Sequence, residues 1–144
     1  MLNINLIRER LEGKTFINEI YYRAEIDSTS SFAKQSPRDN LLVLADYQTK
    51  GKGRYDRNWE SEKGSNLMFS VKKKFSIKNS ETPYINFYFT YHIYCAIKSY
   101  LEKNNIDELP LYIKWPNDIL IDEKKVVGIL FMRRERARLP WRGS

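Results

Sequence analysis

Residues 114–130 have the sequence KWPNDILIDEKKVVGIL, in which short apolar runs alternate with turn residues. Two of these runs, 119–122 and 126–131, are rich in Ile, Leu and Val, and Asp122-Glu123-Lys124 lies between them. Apolar, β-branched runs on both sides of a short polar turn are typical of a β-hairpin. Because a further strand is predicted over 112–114, this stretch predicts three short strands.

The upstream chain combines strand and helix patterns. Predicted strands cover 15–24, 41–45 and 67–75, and the middle one is apolar throughout, as in a strand buried on both faces. Predicted helices cover 4–11 with a stop at Gly13, a segment that begins within 27–30 and breaks by Pro37, and 82–104 with Thr82 as N-cap and Pro83 as first helical residue. The aromatic residues of the last segment leave a strand possible there. The whole pattern predicts an α+β domain with a mixed, largely antiparallel sheet and helices on one face.

Composition and charge bound the class of protein. The chain has 144 residues, of which 42% are hydrophobic, and this is enough for one domain with a core. The net charge is +7, but residues 133–144 contain five arginines and one acid, so the rest of the chain is only mildly basic. We therefore expect a domain over 1–132 and a basic tail over 133–144 that is non-native or disordered.

The cellular compartment is predicted from cysteine use and hydropathy. The single cysteine, Cys95, excludes an intramolecular disulfide and favours a reducing compartment. The start of the chain lacks the apolar run of a signal peptide, and the most apolar segment, 84–101, is too polar to span a bilayer. These features predict a cytoplasmic protein without a membrane partner.

A glycine-containing basic segment is the first candidate site. Residues 46–64, DYQTKGKGRYDRNWESEKG, are polar and are predicted to form a long loop, which is often functional. Gly51-Lys52-Gly53-Arg54 lets the backbone approach a ligand, and together with Arg57 it supplies three cations for an anion such as phosphate. The spacing matches neither the Walker A nor the Rossmann glycine pattern. Trp59 favours a functional role over the alternative of a flexible surface turn.

Two further segments carry polar groups at turns. Lys114-Trp115-Pro116-Asn117-Asp118 fixes a lysine, an amide and a carboxylate close together, although Asn and Asp also favour turns by capping their own backbone. Lys124-Lys125 leads into a strand in which Gly128 allows close backbone approach, although a lysine pair at a hairpin is usually solvated.

Taken in order, these segments resemble the catalytic domain of biotin protein ligases. The resemblance covers residues from about 20 to about 130 and includes Asp27-Ser28-Thr29-Ser30, Asp46-Tyr47-Gln48, the glycine segment, Lys114 to Asp118, and Lys125-x-x-Gly128-Ile129-Leu130. It implies that biotin is activated with ATP and Mg²⁺ to biotinyl-5′-AMP. It also implies transfer of biotin to one lysine of a biotin carboxyl carrier protein domain.

The resemblance also implies roles for individual residues. Biotin would be bound by Ser28, Thr29, Gln48, Gly51, Lys52 and Gly53. The nucleotide would be bound by Arg54, Arg57, Trp59, Asn117 and Asp118. Lys125, Arg54 and Lys114 would be catalytic by neutralising the reacting anions. Asp118 would lie near the metal or the phosphates, but no residue is assigned directly as a metal ligand.

The sequence also departs from the family pattern. Lys52 replaces an arginine and Asp56 a glycine of the usual loop, so its closure is expected to differ. No winged-helix segment precedes residue 20, so specific DNA binding is not expected. The family's C-terminal strand and small domain are missing after residue 130, and we expect a truncated form whose open sheet edge pairs in a homodimer. The alternatives are a lipoate-protein ligase-like enzyme and a non-catalytic ligand- or nucleic-acid-binding fragment.

Overall fold

The computed structural model describes residues 2–59, 61–74, 76, 78–106 and 108–132. The chain divides into two units, Met1–Ser76 and Ile77–Ser144. The predicted tail, 133–144, lies outside the described residues.

The first unit is organised around a buried central strand. It contains helices α1 (Ile4–Leu11) and α2 (Thr29–Gln35) and strands β1 (Glu19–Ile26), β2 (Leu41–Gln48) and β5 (Met68–Lys72). β2 lies between β1, to which it is parallel, and β5, to which it is antiparallel. Its first five residues are buried, which confirms the prediction of a strand covered on both faces. α2 packs against β2 and β5, and Ala33, Leu41 and Val43 form the core with Tyr21 and Phe32 packed on it.

The predicted loop over 46–64 contains more regular structure than expected. β2 continues to Gln48, and β3 (Gly51–Lys52) pairs with β4 (Asn58–Trp59) across a 3₁₀ turn at Arg54–Asp56. The prediction of a loop throughout was therefore wrong at these positions. Two-residue strands are formed by backbone pairing, and such pairing leaves no apolar periodicity in the sequence.

The second unit contains one long helix and one antiparallel sheet. Helix α3 (Thr82–Lys103) follows a 3₁₀ turn at Asn79–Glu81, and strands β6 (Leu111–Lys114), β7 (Asp118–Ile121) and β8 (Lys124–Gly128) form a sheet with β7 in the middle. Asp122 and Glu123 both have positive φ, as a two-residue hairpin turn requires. The three predicted strands are thus confirmed with shifted ends.

The long helix forms as predicted, with a different cap and an exposed aromatic surface. Glu81 takes the N-cap position without a side-chain hydrogen bond, so the prediction of Thr82 as N-cap was wrong by one residue. Thr90 is the buried residue of α3. Several of its aromatic residues are exposed, namely Tyr84, Phe87, Tyr88 and Tyr91.

The α+β class is confirmed, but the described strands form three separate sheets. These are β1-β2-β5, the β3-β4 pair and β6-β7-β8. Within the described residues, no helix is both long enough and apolar enough to cross a membrane.

Candidate functional site

A hydrogen-bond network joins the start of α2 to the end of β2. Gln48 is the last residue of β2, and its side-chain Oε1 lies 2.7 Å from the Thr29 backbone nitrogen and 3.0 Å from Thr29 Oγ1. Thr29 is only 3% exposed. The structure therefore brings together two of the residues predicted to bind an uncharged polar group, and it holds them by mutual hydrogen bonds.

Ser28 lies beside this network but has a structural hydrogen bond of its own. Its hydroxyl oxygen accepts a hydrogen bond from the Ser31 backbone N–H at 3.3 Å, which makes Ser28 the N-cap of α2. The same oxygen is 3.0 Å from Ser30 Oγ. With 2% exposure, the Ser28 side chain both caps the helix and contributes to the buried polar surface.

Ser70 is a member of the network that the sequence analysis missed. It lies in β5, opposite Val43 of β2, and its Oγ is 2.8 Å from Thr29 Oγ1. The signal available in the sequence was a single hydroxyl within the otherwise apolar run Leu67 to Val71. A single serine in an apolar strand does not by itself identify a site residue, because the contact between Ser70 and Thr29 depends on the register in which β5 pairs with β2.

The glycine segment begins next to Gln48. A Cβ atom on Gly51 would lie 2.5 Å from the Trp59 carbonyl oxygen and 3.3 Å from Gln48 Nε2. Glycine at position 51 is therefore required both for the β3-β4 pairing and for space beside the amide. Gly53 donates its N–H to the Arg57 carbonyl at 2.7 Å, which closes the hairpin.

The three cations predicted in this segment lie on an exposed turn. The side chains of Lys52, Arg54 and Arg57 are exposed, and the Arg54 guanidinium lies 5.0 Å from the centre of the Tyr55 ring. Arg54 Nη2 also donates to Tyr55 Oη at 3.1 Å. Tyr55 is 81% exposed and has a φ of 55°, so the turn presents an arginine and a tyrosine to solvent. Trp59 is half-buried and pairs with Gly51.

A hydrogen bond between a tyrosine and a carboxylate connects β1 and β2, close to Gln48 in the sequence. Tyr22 Oη donates to Asp46 Oδ2 at 2.5 Å, and the Leu2 backbone N–H donates to Asp46 Oδ1 at 3.4 Å. The hydrogen bond to the carboxylate raises the pKa of Tyr22 above its ordinary value of 10.0, and desolvation adds to this effect. Asp46 thus accepts hydrogen bonds that connect the start of the chain and β1 to β2, the strand that carries Gln48.

In the second unit, a lysine and an aspartate form an ion pair on the three-stranded sheet. Lys125 Nζ lies 2.9 Å from Asp118 Oδ1, and the two side chains are 41% and 25% exposed. Lys114 is exposed and pairs with Asp118 across β6 and β7, so its side chain lies on the same face. The structure therefore brings together three predicted site residues: Lys114, Asp118 and Lys125.

The register of the hairpin places Lys125 on this face. The backbone pairs between β7 and β8 are Asp118–Gly128, Ile119–Val127 and Leu120–Lys125. Val126 is consequently an extra residue in β8. Because Lys125 pairs with Leu120, and Leu120 is two residues from Asp118 in β7, the side chains of Lys125 and Asp118 lie on the same face.

Asn117 is held by the strand end that follows β8. Its Nδ2 donates to the Ile129 carbonyl at 2.7 Å, and the Ile129 backbone N–H donates to the Asn117 carbonyl at 2.9 Å. Asn117 is 7% exposed, whereas Trp115 in the same motif is 72% exposed. From α3, Asn86 donates to the Pro116 carbonyl at 3.3 Å. These contacts fix the turn that carries Asp118.

Metal-ligating side chains do not cluster in the described part of the chain. No group of three or more His, Cys, Asp or Glu side chains that could hold an ion is found there. Asp118 forms an ion pair with Lys125 and lies on the same face of the sheet as Lys114.

Comparison with known proteins gives consistent matches. The family model described as biotin/lipoate A/B protein ligase family matches residues 22–140. A bifunctional ligase/repressor BirA from Bacillus spizizenii is 33% identical over 128 residues, which are 86% of this chain and 38% of the relative.

Solved structures with bound ligands are also similar. The biotin protein ligase from Aquifex aeolicus in complex with biotin and ATP has a TM-score of 0.63 at 30% identity, over 85% of this chain and 48% of that chain. The biotin protein ligase from Leishmania major in complex with biotinyl-5-AMP has a TM-score of 0.64 at 26% identity, over 78% of this chain and 51% of that chain. The chain thus spans about two fifths of the curated relative and about half of these structures.

Proposed function

Because the chain belongs to the biotin/lipoate A/B protein ligase family, we propose that it carries the biotin-activating part of a biotin protein ligase. In this reaction a biotin carboxylate oxygen bonds to the α-phosphorus of ATP while the bond to the bridging oxygen breaks. Pyrophosphate leaves and biotinyl-5′-AMP forms. The amine of an acceptor lysine then attacks the acyl carbon, AMP leaves, and an amide remains.

The uncharged network of Thr29 and Gln48 carries this proposal. A cyclic urea such as the biotin head group is neutral and polar, and it needs a hydrogen-bond partner for each buried donor and acceptor. Thr29 and Gln48 supply such groups without a charge, 2.7 and 3.0 Å from one another. The dithiolane head of lipoate has no N–H or carbonyl group, so it would offer no hydrogen-bond partner to the NH₂ group of Gln48. This difference favours biotin over lipoate.

The cationic residues support activation of a carboxylate by a triphosphate. Two anions approach each other in this step, and fixed positive charge lowers the cost of their repulsion. We assign Lys125 and Lys114 to the phosphates, because Asp118 orients the Lys125 ammonium group at 2.9 Å. Arg54 and Arg57, on the exposed turn, are assigned to the biotin carboxylate and the α-phosphate. Lys52 and the backbone at Gly51 and Gly53 would line the biotin side, and Trp59 would order the turn.

ATP would bring Mg²⁺ with it. Mg²⁺ is usually bound through one or two carboxylates together with substrate phosphates and water, and Asp118 fits the carboxylate role. The ion would neutralise phosphate charge when bound. Asn117 would act through the turn that it stabilises, because its amide donates to Ile129.

The acceptor and the compartment complete the proposal. The transfer step requires an exposed lysine on a carrier domain such as a biotin carboxyl carrier protein, and the low cysteine content favours the cytoplasm. The repressor activity in the name of the Bacillus relative is not carried over to this chain.

Adenylate formation tests the proposal directly. Labelled ATP and magnesium would be incubated with the chain and with biotin, with lipoate or with neither acid, and binding of each acid would be measured in parallel. We expect biotin to bind at least about tenfold more tightly than lipoate and to be the acid that yields an adenylate. Tighter binding of lipoate, or an adenylate formed from lipoate alone, would contradict the assignment.

A further inference from the structure

The loop between β6 and β7 has a candidate site residue at each end. Lys114 is the last residue of β6, Asp118 is the first residue of β7, and the two pair with each other. Three residues, 115–117, lie between them. Because the loop is this short, the conformation of its backbone determines how the closing pair is oriented. A group that holds the loop therefore also holds the carboxylate that contacts Lys125.

The loop is held from two sides. On one side, Asn117 forms two hydrogen bonds with Ile129, the residue that follows β8. On the other side, Asn86 of α3 donates a hydrogen bond from its Nδ2 to the Pro116 carbonyl at 3.3 Å. Proline has no backbone N–H, so its carbonyl is the one backbone group through which a hydrogen bond can fix Pro116. Asn86 supplies that bond from a separate element.

The other end of the Asn86 amide has no partner. Among the described residues, its Oδ1 is a buried oxygen without a hydrogen bond. A buried acceptor that is left unpaired lowers the stability of the folded chain. The side chain thus makes one hydrogen bond, to a loop of the candidate site, and leaves a second group unpaired. An apolar side chain of similar volume would avoid the unpaired oxygen, so stability alone does not account for an asparagine at this position.

We propose that Asn86 is a positioning residue of the proposed phosphate site. By holding the Pro116 carbonyl, it fixes the loop that places Asp118, and Asp118 in turn holds the Lys125 ammonium group at 2.9 Å. In this role Asn86 acts through Asp118 and is not itself a ligand of ATP. This inference rests on the proposed function, in which Lys125 acts on the phosphates of ATP. Loss of the Asn86 bond therefore affects the use of ATP and leaves the binding of biotin as it is.

The test measures ATP and biotin separately with the 144-residue chain. Asn86→Leu removes the donor and the unpaired oxygen at similar volume. The rate of adenylate formation at a series of ATP concentrations gives kcat/KM, and calorimetry gives the affinity for biotin. We expect Asn86→Leu to lower kcat/KM for ATP by about tenfold, while biotin affinity stays within about twofold. The thermal midpoint should change by less than about 3 °C, because the lost hydrogen bond and the removed unpaired oxygen offset each other.

Asn104→Leu is the matched control. Asn104 is the C-cap residue of the same helix, and its Nδ2 also donates to a backbone carbonyl, that of Tyr100, at 2.7 Å. This variant loses the same kind of hydrogen bond at the other end of α3. It should therefore leave kcat/KM for ATP unchanged.

A double-mutant cycle with Asp118→Ala distinguishes positioning from a general structural effect. If Asn86 acts through Asp118, Asn86→Leu has little further effect once the carboxylate is removed. We expect the effect of Asn86→Leu to shrink from about tenfold to less than about twofold in the Asp118→Ala background. A general loss of structure would lower kcat/KM by the same factor in both backgrounds.

The outcomes separate the inference from the function on which it rests. If the unmodified chain forms biotinyl-5′-AMP and Asn86→Leu leaves kcat/KM for ATP unchanged, or lowers it equally in both backgrounds, the positioning role is wrong while the proposed function stands. The positioning role is also wrong if Asn86→Leu lowers biotin affinity as much as kcat/KM. If the unmodified chain forms no adenylate, the proposed function of this chain fails and the inference fails with it.

Discussion

The ammonium group of Lys125 lies 2.9 Å from Asp118 Oδ1, and this contact illustrates how single residues act in the candidate site. A lysine held by a carboxylate keeps its position, so it can stabilise charge that develops on a phosphate without reorganisation. Lys124, the preceding residue, pairs with Ile121 and therefore lies on the other face of the sheet.

Lys125→Ala is expected to separate binding from chemistry. Adenylate formation should fall by at least about 100-fold, because a preorganised charge at the reacting phosphate is lost. Biotin binding should be nearly unchanged, and Lys124→Ala should retain both properties. Biotin affinity by calorimetry and adenylate formation from labelled ATP are the measurements. An equal loss of both in Lys125→Ala would mean that Lys125 is structural.

Gly51→Ala is expected to lower stability and biotin affinity together. The added methyl group would lie 2.5 Å from the Trp59 carbonyl and close to Gln48 Nε2, so the hairpin must shift at a cost of about 1–3 kcal/mol. Gly53→Ala is the matched control, since its methyl group would be 3.2 Å from the Arg57 carbonyl and requires a smaller adjustment. Urea unfolding and biotin titration measure both effects. Equal effects of the two variants would contradict this account.

The Tyr22–Asp46 pair predicts a specific pH dependence. Its hydrogen bond requires a protonated tyrosine, and it raises the pKa of Tyr22 above 10.0 in the folded chain. The resulting stabilisation is fully present below the unfolded pKa and is lost as the pH rises through the folded pKa. The stability advantage over Tyr22→Phe should therefore be constant near neutral pH and decline above pH 10.0. Urea unfolding at a series of pH values measures it, and a constant advantage at every pH would disagree.

At the scale of elements, strand pairing decides which face a candidate site residue occupies. The pairing of Lys125 with Leu120 places Lys125 on the face of Asp118 and Lys114. The N-cap Ser28 and the last residue of β2 similarly position the hydrogen-bond network. In both cases the pairing and the ends of elements place the candidate site residues.

Deleting Val126 is expected to keep the Lys125–Asp118 contact. Lys125 would still pair with Leu120, because that pairing is set by the turn at Asp122 and Glu123. We expect adenylate formation to stay well above that of Lys125→Ala, while the chain stays folded and binds biotin. Val126→Ala keeps the residue count and should remain active as well. Loss of adenylate formation in the deletion variant alone would show that the bulge is needed to position the lysine.

At the scale of the whole molecule, open sheets and exposed apolar side chains affect association. The sheets β1-β2-β5 and β6-β7-β8 have outer strands that pair on one side only within the described chain. Val71 in β5 and Val126 in β8 are 44% and 46% exposed. Such edges and apolar residues favour pairing with another chain.

We expect the chain to self-associate as its concentration rises. Sedimentation velocity over a range of concentrations measures this association. Val71→Lys and Val126→Lys each place a charge on one outer strand, so the variant that weakens association identifies the pairing edge. A chain that remains monomeric at high concentration would contradict the expectation of a homodimer.

Much of the secondary structure and part of the site could be predicted from neighbouring residues alone. Helix α1 with its stop at Gly13, the buried strand β2 and the hairpin turn after Ile121 depend on periodicity and turn chemistry, which act over a few residues. The order of the motifs likewise indicated the family. It also indicated the candidate site residues Thr29, Gln48, Asp118 and Lys125. The exact cap of α3 and the short strands β3 and β4 depend on backbone geometry that leaves little trace in residue types.

The sequence by itself determined the class of elements, the family and the candidate residues, because each rests on residue types at short spacings. Only the tertiary structure decided the division into three sheets, the bulge at Val126 and the contact of Ser70 with Thr29. Ser70 and Thr29 are 41 positions apart, and their contact exists because β5 pairs with β2 at one register. Strand register arises from packing across the whole unit, so the sequence alone could not give the contact between Ser70 and Thr29.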